Sequence, residues 1–370
     1  MTPAATFCPN PDCPARGQRD KGNIGIHSQK ERRSRCRVCE KTFSARKGTP
    51  FYRLRNAEAL VTQVITLLAH GCPVQAIVAA FDLDERTVSA WQQRAGAQAE
   101  AVHEHLVEQG RELDEVQCDE LRVKAQGQVW WMAMAVMVSS RLWLGGEVGT
   151  SRDYGLIKRM IERVKRCALC RPPLFCTDGL SSYVTAIREV FREPDQTGER
   201  GRPSFVSWPG IYLAQVVKQY IGKRVAAVSR RIIQGTAEQL EAVRHKVKGG
   251  GVLNTAFIER LNLTFRAHLA PLHRRTRALG RVPERLERAM YLVGAVYNFC
   301  SEHRSLRLPG LIGGHKWLGR TPAMAAGITD HQWTMGELLS FRVPLPQWEP
   351  PKKRGRRSQA TLQLIEQWCS

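Results

Sequence analysis

The stretch ELDEVQCDELRVKAQGQVWWMAMAVMVSSRLWLGGEVG, from Glu112 to Gly149, decides the fold class of this chain. It contains three β-compatible runs, separated by polar turns near residues 125–128 and 139–141. The middle run, VWWMAMAVMV, is about half as long as the ~20 apolar residues that a membrane-spanning helix needs. The stretch therefore predicts three successive strands of a sheet, with a buried strand in the middle.

The sequence after this stretch alternates between helical and strand-like patterns. YGLIKRMIERVKRC, residues 154–167, predicts an amphipathic helix, PPLFCTDG predicts a buried strand, and SSYVTAIREVF predicts a second helix. Three strands, a helix, a strand and a helix are the order expected of a ribonuclease-H-like domain. The fold class is therefore predicted to be α/β (α+β).

Two acids occupy special places in this predicted domain. Asp119 lies in the first strand and Asp178 at the end of the fourth, and a ribonuclease-H-like sheet brings these two places side by side at its centre. Glu120 directly follows Asp119, so strand alternation points it to the opposite face and predicts a structural role. Asp178 also stands in the turn-forming sequence TDG, and the alternative is that it only caps the following helix.

Two close cysteine pairs near the N-terminus predict a metal-binding module. Cys8 and Cys13 frame CPNPDC, and Cys36 and Cys39 frame CRVC further along. Four thiolates from two such knuckles are the tetrahedral ligand set of a structural Zn²⁺. A segment with few large apolar residues also needs a metal to fold. Residues 1–50 are therefore predicted to form a zinc ribbon with one Zn²⁺, and four unligated cysteines are the alternative.

Residues 51–112 predict a helix-turn-helix DNA-binding domain and a helical linker. Pro73 opens the first helix of the pair, and Asp84 or Glu85 caps the second, which carries Val88 and Trp91 inward. The second helix of such a pair enters the major groove of DNA. A helical hairpin that binds nothing is the alternative. The side chains predicted to contact DNA are Arg86, Thr87, Ser89, Gln92, Gln93 and Arg94.

The charge of the chain favours a polyanionic partner. Its 370 residues include 56 Lys and Arg against 34 Asp and Glu, a formal net charge of +22. Such an excess suits nucleic acid or an anionic membrane surface. The sequence has no apolar run long enough to span a bilayer and no secretory signal pattern at its N-terminus. We therefore expect double-stranded DNA as the partner, no membrane, and a cytoplasmic, nucleoid-associated location.

A lone acid stands in VLNTAFIERLNLTFRAHL, residues 252–269, whose other charged side chains are Arg or His. Helical periodicity places Phe257, Leu261 and Phe265 on an apolar face, with Glu259 on a neighbouring face that points away from the core. Glu259 is either a solvated surface residue paired with Arg260 or Arg266, or a carboxylate held for chemistry. The predicted DNA contacts in this region are Asn262, Arg266, Arg274 and Arg275, with a solvated basic face as the alternative.

Several blocks of the sequence resemble bacterial transposases of the insertion-sequence-one type. CDEL, TDGLSSY and NTAFIERLNLTFRAHLAPLHRRT are similar to blocks of that family, and CRVC with KTFSARKGTPFYRLR resembles its ribbon. The resemblance covers about residues 8–280 and is most specific from Thr255 to Thr276. Arg122 stands where an aromatic residue is usual. The interval from Asp178 to Glu259 is longer than in compact members, and we interpret residues of about 190–250 as a basic insert.

The resemblance implies a DDE-type transposase in which Asp119, Asp178 and Glu259 are the catalytic acids. Two Mg²⁺ or Mn²⁺ ions held by these carboxylates would support phosphodiester hydrolysis and strand transfer. Asp119 would bridge both ions, and Asp178 and Glu259 would bind one each. The DNA would be the terminal inverted repeats of an insertion sequence and a target. Bringing two element ends together implies a homo-oligomer, a dimer or larger.

Two other functions compete with transposition. A DNA-binding regulator or domesticated transposase without cleavage activity is favoured if the three acids do not converge, and an RNA-directed nuclease of the same fold is the third possibility. The predicted domains are a zinc ribbon at 1–50, a helix-turn-helix and linker at 51–112, a catalytic domain at 113–280, and a helical extension with a basic tail at 281–370.

Overall fold

The structure is a computed structural model that describes residues 6–169, 173–195, 204–208, 210–222, 224–247, 252–310, 316–350, 352 and 355–369. It divides into two compact units. The smaller unit combines Met1–Val61 with Leu339–Ser370, and the larger unit is Thr62–Leu338. Residues 339–370, which the sequence assigns to a C-terminal extension, therefore belong to the same unit as the predicted zinc ribbon.

Along the described residues, runs of one to four strands alternate with runs of one to three α-helices. The strands are β1 (Ile24–Ser28), β2 (Arg33–Cys36), β3 (Thr42–Ser44), β4 (Glu115–Ala125), β5 (Gln128–Met137), β6 (Trp143–Gly149), β7 (Leu174–Thr177), β8 (Arg192–Pro194), β9 (Phe205–Ser207), β10 (Tyr212–Ile221), β11 (Arg224–Gln234), β12 (Leu308–Pro309) and β13 (Trp317–Leu318). The helices are α1 (Glu58–Ala69), α2 (Val74–Phe81), α3 (Glu85–Leu106), α4 (Tyr154–Cys167), α5 (Ser181–Val190), α6 (Ala237–Lys246), α7 (Ala256–His268), α8 (Pro283–Ala295), α9 (Pro322–Ala325), α10 (Met335–Ser340) and α11 (Gln359–Trp368).

The smaller unit is built on the antiparallel sheet β1-β2-β3. Ile24 and Phe43 from this sheet share a buried cluster with the cysteines and with Trp368 of α11. Arg16 also donates hydrogen bonds of 2.9 Å to the backbone carbonyl oxygens of Pro346 and Gln347. The described part of the C-terminal segment is thus held against the cysteine-containing module by apolar packing and by hydrogen bonds from the Arg16 side chain to its backbone.

The larger unit contains a mixed six-stranded sheet in the order β11-β10-β7-β4-β5-β6. β4 is antiparallel to β5 and β5 to β6, whereas β7 is parallel to both β4 and β10. The three strands predicted from Glu112–Gly149 are confirmed as β4, β5 and β6, and the helix, strand and helix that follow are confirmed as α4, β7 and α5. β4 is an interior strand, so its residues lie near the middle of the sheet.

Residues of about 190–250, interpreted from the sequence as a basic insert, supply two strands of this sheet. β10 continues the parallel part of the sheet beside β7, and β11 returns antiparallel to β10. Leu213, Ala214 and Val216 of β10 are buried. Lys and Arg outnumber Asp and Glu in this segment, but its apolar residues are more numerous than either, and several of them pack into the core as strand residues. Lys223 and Lys248 of the segment lie outside the described residues.

Helices α3 and α8 pack closely against each other in the larger unit. A Cβ atom at Gly96 of α3 would lie 2.4 Å from the carbonyl oxygen of Arg288, so glycine permits this approach. α3 runs without a break from the predicted second helix of the DNA-binding pair through most of the predicted linker. Among the residues that the structure describes, every helix is too short or too polar to cross a bilayer.

Candidate functional site

Asp119 and Asp178 come together through the parallel pairing of β4 and β7. Gln117 pairs with Cys176 in this register, and each acid lies two residues further along its chain. The carboxylates of Asp119, Glu120 and Asp178 each offer an oxygen atom, and these oxygens lie within 4.8 Å of one another. This acid group fits a hard divalent cation, because Mg²⁺ and Mn²⁺ prefer carboxylate oxygens.

Glu120 is the member of the acid group that the sequence did not predict. Strand alternation predicts that Glu120 lies on the face opposite Asp119. Asp178 lies beyond the end of β7, and carboxylate oxygens of all three acids lie within 4.8 Å of one another. Arg152 donates to Glu120 at 2.8 Å and to Asp178 at 3.1 Å, and so joins these two carboxylates. Burial and the charge of Asp178 raise the pKa of Glu120 against the opposing effect of Arg152. The adjacent pair of acids in CDEL is the signal that could have marked Glu120.

Asp119 is in the most strongly perturbed environment of the three acids. Burial, together with the charges of Glu120, Asp178 and Glu259, raises its pKa to about 7 against the hydrogen bond from the Glu120 backbone. Its Oδ2 accepts a hydrogen bond of 2.7 Å from the Asn262 side chain of α7. Several negative charges around one buried carboxyl group disfavour its ionisation, and a bound cation would relieve that penalty.

Glu259 lies on α7 close enough for its charge to raise the pKa of Asp119, but outside the group of acids that lie within 4.8 Å. Its Oε1 is paired with Lys218 of β10 and accepts a 2.7 Å hydrogen bond from the Thr255 hydroxyl. Burial opposes ionisation of Glu259, but these two hydrogen bonds and the charge of Lys218 outweigh it and lower the pKa. Glu259 is therefore ion-paired, but its partner is Lys218 of β10 and not Arg260 or Arg266, the helical neighbours that the sequence suggested.

Gln117 of β4 fixes α7 relative to the acids. It is fully buried, and its Oε1 accepts hydrogen bonds from the backbone N–H groups of Phe257 and Ile258, at 3.0 and 3.1 Å. Its Nε2 donates to the Asn254 carbonyl oxygen at 2.7 Å. This side chain satisfies donors at the first turn of α7. Periodicity gave no indication of this role, because the partners on α7 lie on a distant segment of the chain; the Nε2 also donates to Glu115 Oε1 at 2.8 Å.

The prediction that Asn262 contacts DNA from an exposed face is corrected by its burial. Asn262 is 2% exposed and its amide is directed to Asp119. The α7 face that carries it packs against β4, so it positions a carboxylate within the protein. Arg266 is half-buried, and Arg274 and Arg275 are exposed. These three arginines therefore remain candidates for contacts with phosphate.

The four N-terminal cysteines form a second candidate metal site. Cys8 Sγ lies 3.6 Å from Cys39 Sγ, and Cys13 Sγ lies 3.8 Å from Cys36 Sγ. All four sulfur atoms lie within 4.8 Å of one another. A tetrahedral Zn²⁺ with Zn–S bonds of ~2.3 Å separates its sulfurs by about 3.8 Å. Burial raises the pKa of Cys13 to about 12. Burial also opposes ionisation of Cys39, but hydrogen bonds from the Lys41 backbone and the Asn10 side chain outweigh it and lower the pKa of Cys39 to about 7.

The predicted DNA-binding helices α2 and α3 have the expected inner faces. Val88 and Trp91 are buried, and Asp84 caps α3 by accepting from the Arg86 and Thr87 backbone N–H groups. Pro73 directly precedes α2, as predicted. The predicted contact residues of α3 are exposed or half-buried: Arg86, Thr87, Ser89, Gln92, Gln93 and Arg94.

Comparison of the chain with known proteins returns no matching family model and no matching curated protein. The acid group, the cysteine cluster and the basic surfaces are therefore the features of the molecule that indicate its function.

Proposed function

We propose that this protein is a DDE-type DNA transposase, which binds the terminal inverted repeats of an insertion sequence and cleaves and joins DNA strands in a metal-dependent reaction. The observation that carries the proposal is the meeting of Asp119 and Asp178 at neighbouring parallel strands in the interior of a mixed sheet. The strand and helix order from β4 to α5 supports a ribonuclease-H-like domain. The sequence resemblance of the segment around Glu259 supports the same reading.

In the proposed reaction, carboxylates of this chain would bind the metal ions, and a neighbouring amide would keep one of these carboxylates in place. Asp119, Asp178 and Glu259 would hold two Mg²⁺ or Mn²⁺ ions, and Asn262 would keep the Asp119 carboxylate in one orientation. When bound, such ions activate an attacking oxygen and stabilise the leaving oxygen of a phosphodiester. Glu120, joined to Arg152, lies beside these acids and adds negative charge where cations would bind.

The N-terminal features support binding to double-stranded DNA. The cysteine cluster fits one structural Zn²⁺, and α2 and α3 have the buried face and the cap that a helix-turn-helix needs. A net charge of +22 favours association with phosphates at low salt. Synapsis of two element ends would require a homo-oligomer.

The proposal is tested with the full chain, a supercoiled plasmid that carries the element ends, and Mg²⁺ or Mn²⁺. Asp119→Asn, Asp178→Asn and Glu259→Gln are each expected to abolish metal-dependent nicking while DNA binding persists. Glu238→Gln, at an exposed position of α6, is the matched control and should cleave like the unmodified protein. If Asp119→Asn or Asp178→Asn cleaves at the unmodified rate, the proposed active site is wrong.

A non-catalytic DNA-binding regulator is the second candidate, and the ion pairs of the acids favour it. Lys218 holds Glu259, and Arg152 joins Glu120 to Asp178, so protein cations already neutralise part of the negative charge. A protein of this kind would bind the element ends without nicking them at any Mg²⁺ or Mn²⁺ concentration. Competition between RNA and terminal-repeat DNA in the same assay distinguishes an RNA-directed nuclease from both.

A further inference from the structure

A cavity of about 400 Å³ in the larger unit shares no residue with the acid group. It lies where the turn between β5 and β6 meets the segments that precede β12 and α9. Its polar lining consists of three arginines and three serines, namely Arg141, Arg307, Arg320, Ser139, Ser140 and Ser305. We call it the arginine cavity, and a cavity of this volume is large enough for a small ligand.

Arg141 is the most deeply placed of the three arginines. It is 8% exposed, and its guanidinium lies 3.8 Å from the centroid of the Phe257 ring. Its Nη1 is buried and has no hydrogen-bond partner among the described residues. The charges of Asp114 and Glu115 reach Arg141, but neither acid forms an ion pair with it in the part of the chain that the structure describes. A buried guanidinium in this condition has unused donor capacity.

Arg307 and Arg320 add two more charges to the same cavity. The Arg307 guanidinium stacks 4.1 Å from the centroid of the Trp317 ring, and the Arg320 Nη2 donates to the Met324 carbonyl oxygen at 3.1 Å. Both contacts orient an arginine without neutralising it. Within the described ranges, neither side chain is paired with a carboxylate. Three like charges around one concavity repel one another unless an anion lies among them.

We propose that the arginine cavity binds a phosphate group, supplied either by the DNA backbone or by a free nucleotide. The planar fork of an arginine matches phosphate oxygens through two parallel hydrogen bonds, and three such forks suit one tetrahedral anion. The serine hydroxyl groups of the lining provide further hydrogen-bonding groups. The site belongs to the β5–β6 turn and to the chain after α8, and it does not depend on the proposed cleavage activity.

The test measures two ligands on the full-length protein. Binding of a duplex DNA is followed by fluorescence anisotropy over a range of salt concentrations, and binding of adenosine monophosphate by titration calorimetry. Arg307→Gln and Arg320→Gln change accessible side chains, and Arg141→Lys keeps a charge but removes the planar fork. Arg285→Gln on α8 is the matched control, because it removes one exposed positive charge outside the cavity.

If DNA supplies the phosphate, Arg307→Gln and Arg320→Gln each weaken duplex binding roughly fivefold and reduce the salt slope by about one. Arg285→Gln should leave both quantities nearly unchanged. If a free nucleotide supplies it, the unmodified protein binds adenosine monophosphate saturably and the cavity variants lose that binding. Either result supports the site and identifies the source of the phosphate.

The proposal is overturned if all three cavity variants bind both ligands as the Arg285→Gln protein does. Circular dichroism of each variant checks that it is folded, and the accessible positions Arg307 and Arg320 keep the test valid if Arg141→Lys is unstable. Failure of the cleavage proposal is seen separately, as unchanged nicking by Asp119→Asn or Asp178→Asn. The phosphate measurements contain no divalent metal and require no cleavage.

Discussion

Glu259 is the acid whose role depends most on its partners. Lys218 pairs with it while both side chains are partly exposed, at 30% and 44%. An ion pair of this exposure contributes up to ~1 kcal/mol. Lys218→Met is expected to raise the affinity for Mn²⁺ by about two- to fivefold, because it frees the Glu259 carboxylate for a cation proposed to bind beside Asp119. Calorimetric titration of Mn²⁺ into the DNA-free protein measures this change.

Lys158→Met is the control for this substitution. Lys158 pairs with Glu189 at a similar exposure, 34% and 32%, and neither residue belongs to the acid group. The control protein should bind Mn²⁺ like the unmodified protein. If Lys218→Met also leaves the affinity unchanged, Glu259 is not a ligand and the non-catalytic regulator gains support.

His103 makes the stability of the larger unit depend on pH. It is fully buried beside the Trp143 and Tyr291 rings, and burial lowers its pKa to about 4. Its folded pKa is lower than the ~6.5 of an unfolded chain. The unfolded state therefore binds the proton more tightly, so stability is present above pH ~6.5 and is lost as pH falls toward 4. The loss reaches roughly 3 kcal/mol at the acid end.

His103→Gln is expected to flatten this part of the stability profile, because Gln does not titrate and can still donate to the Leu144 carbonyl oxygen. Urea unfolding at several pH values between 4 and 7 gives the slope for each protein. His245→Gln, at a position of α6 that is 78% exposed, serves as the reference and should keep the slope. An identical slope in the His103→Gln and unmodified proteins would mean that other groups cause the acid sensitivity.

The sequence predicted the residues whose placement follows from local pattern. The cysteine spacing predicted the cluster of Cys8, Cys13, Cys36 and Cys39, and the strand order predicted that Asp119 and Asp178 meet. The burial of Asn262 and the inclusion of Glu120 depend on which face of α7 packs against β4 and on where Asp178 lies after β7. Both features depend on tertiary contacts between distant segments, which helical or strand periodicity cannot predict.

At the scale of elements, the strands and helices from β4 to α5 follow from apolar periodicity, but the extent of the sheet does not. β10 and β11 lie in a segment whose many Lys and Arg residues, together with the long interval from Asp178 to Glu259, indicated an insert. β10 pairs with β7 in parallel, and α5 lies between the two strands in the sequence. A parallel pair of this kind has no hairpin turn, so no turn signal in the sequence predicts it. β10 also contributes Lys218, which forms the ion pair with Glu259.

We expect the packing of α7 against β4 to depend on the hydrogen bonds of the Gln117 side chain. Gln117→Leu would leave the Phe257 and Ile258 N–H groups and the Asn254 carbonyl oxygen without this partner. Buried groups that lose their hydrogen bonds destabilise a protein by ~1–3 kcal/mol each, with incomplete additivity. We expect Gln117→Leu to lower the free energy of unfolding by roughly 3 kcal/mol, measured by urea denaturation.

Gln215→Leu on the neighbouring strand β10 is the control for the same chemical change. Gln215 is 6% exposed, but within the described part of the chain its side chain donates only one long hydrogen bond, of 3.4 Å, to the Leu180 carbonyl oxygen. Its replacement should cost about 1 kcal/mol or less. Equal destabilisation by the two substitutions would show that Gln117 does not anchor α7 in the way that its hydrogen bonds indicate.

At the scale of the whole molecule, the sequence divides the chain into consecutive domains and the structure does not. Residues near both ends form one unit, because Trp368 of α11 enters the cluster that contains Cys8, Cys13 and Cys36. The knuckle spacing indicated a zinc ribbon but gave no sign of this distant packing partner. A module with few large apolar residues of its own gains a tryptophan core residue from the far end of the sequence.

Trp368→Ala tests whether this packing stabilises the cysteine module. Trp368 is 3% exposed, and truncation of such a tryptophan costs about 3–5 kcal/mol. Because zinc affinity and folding are coupled in small metal-dependent modules, the substitution should speed the loss of Zn²⁺ to a chelator and lower the unfolding temperature of the smaller unit. Leu362→Ala changes a residue of the same helix that is 49% exposed, so it should affect neither quantity. If Zn²⁺ release from the Trp368→Ala protein matches that from Leu362→Ala, the proposed zinc site does not depend on packing by α11.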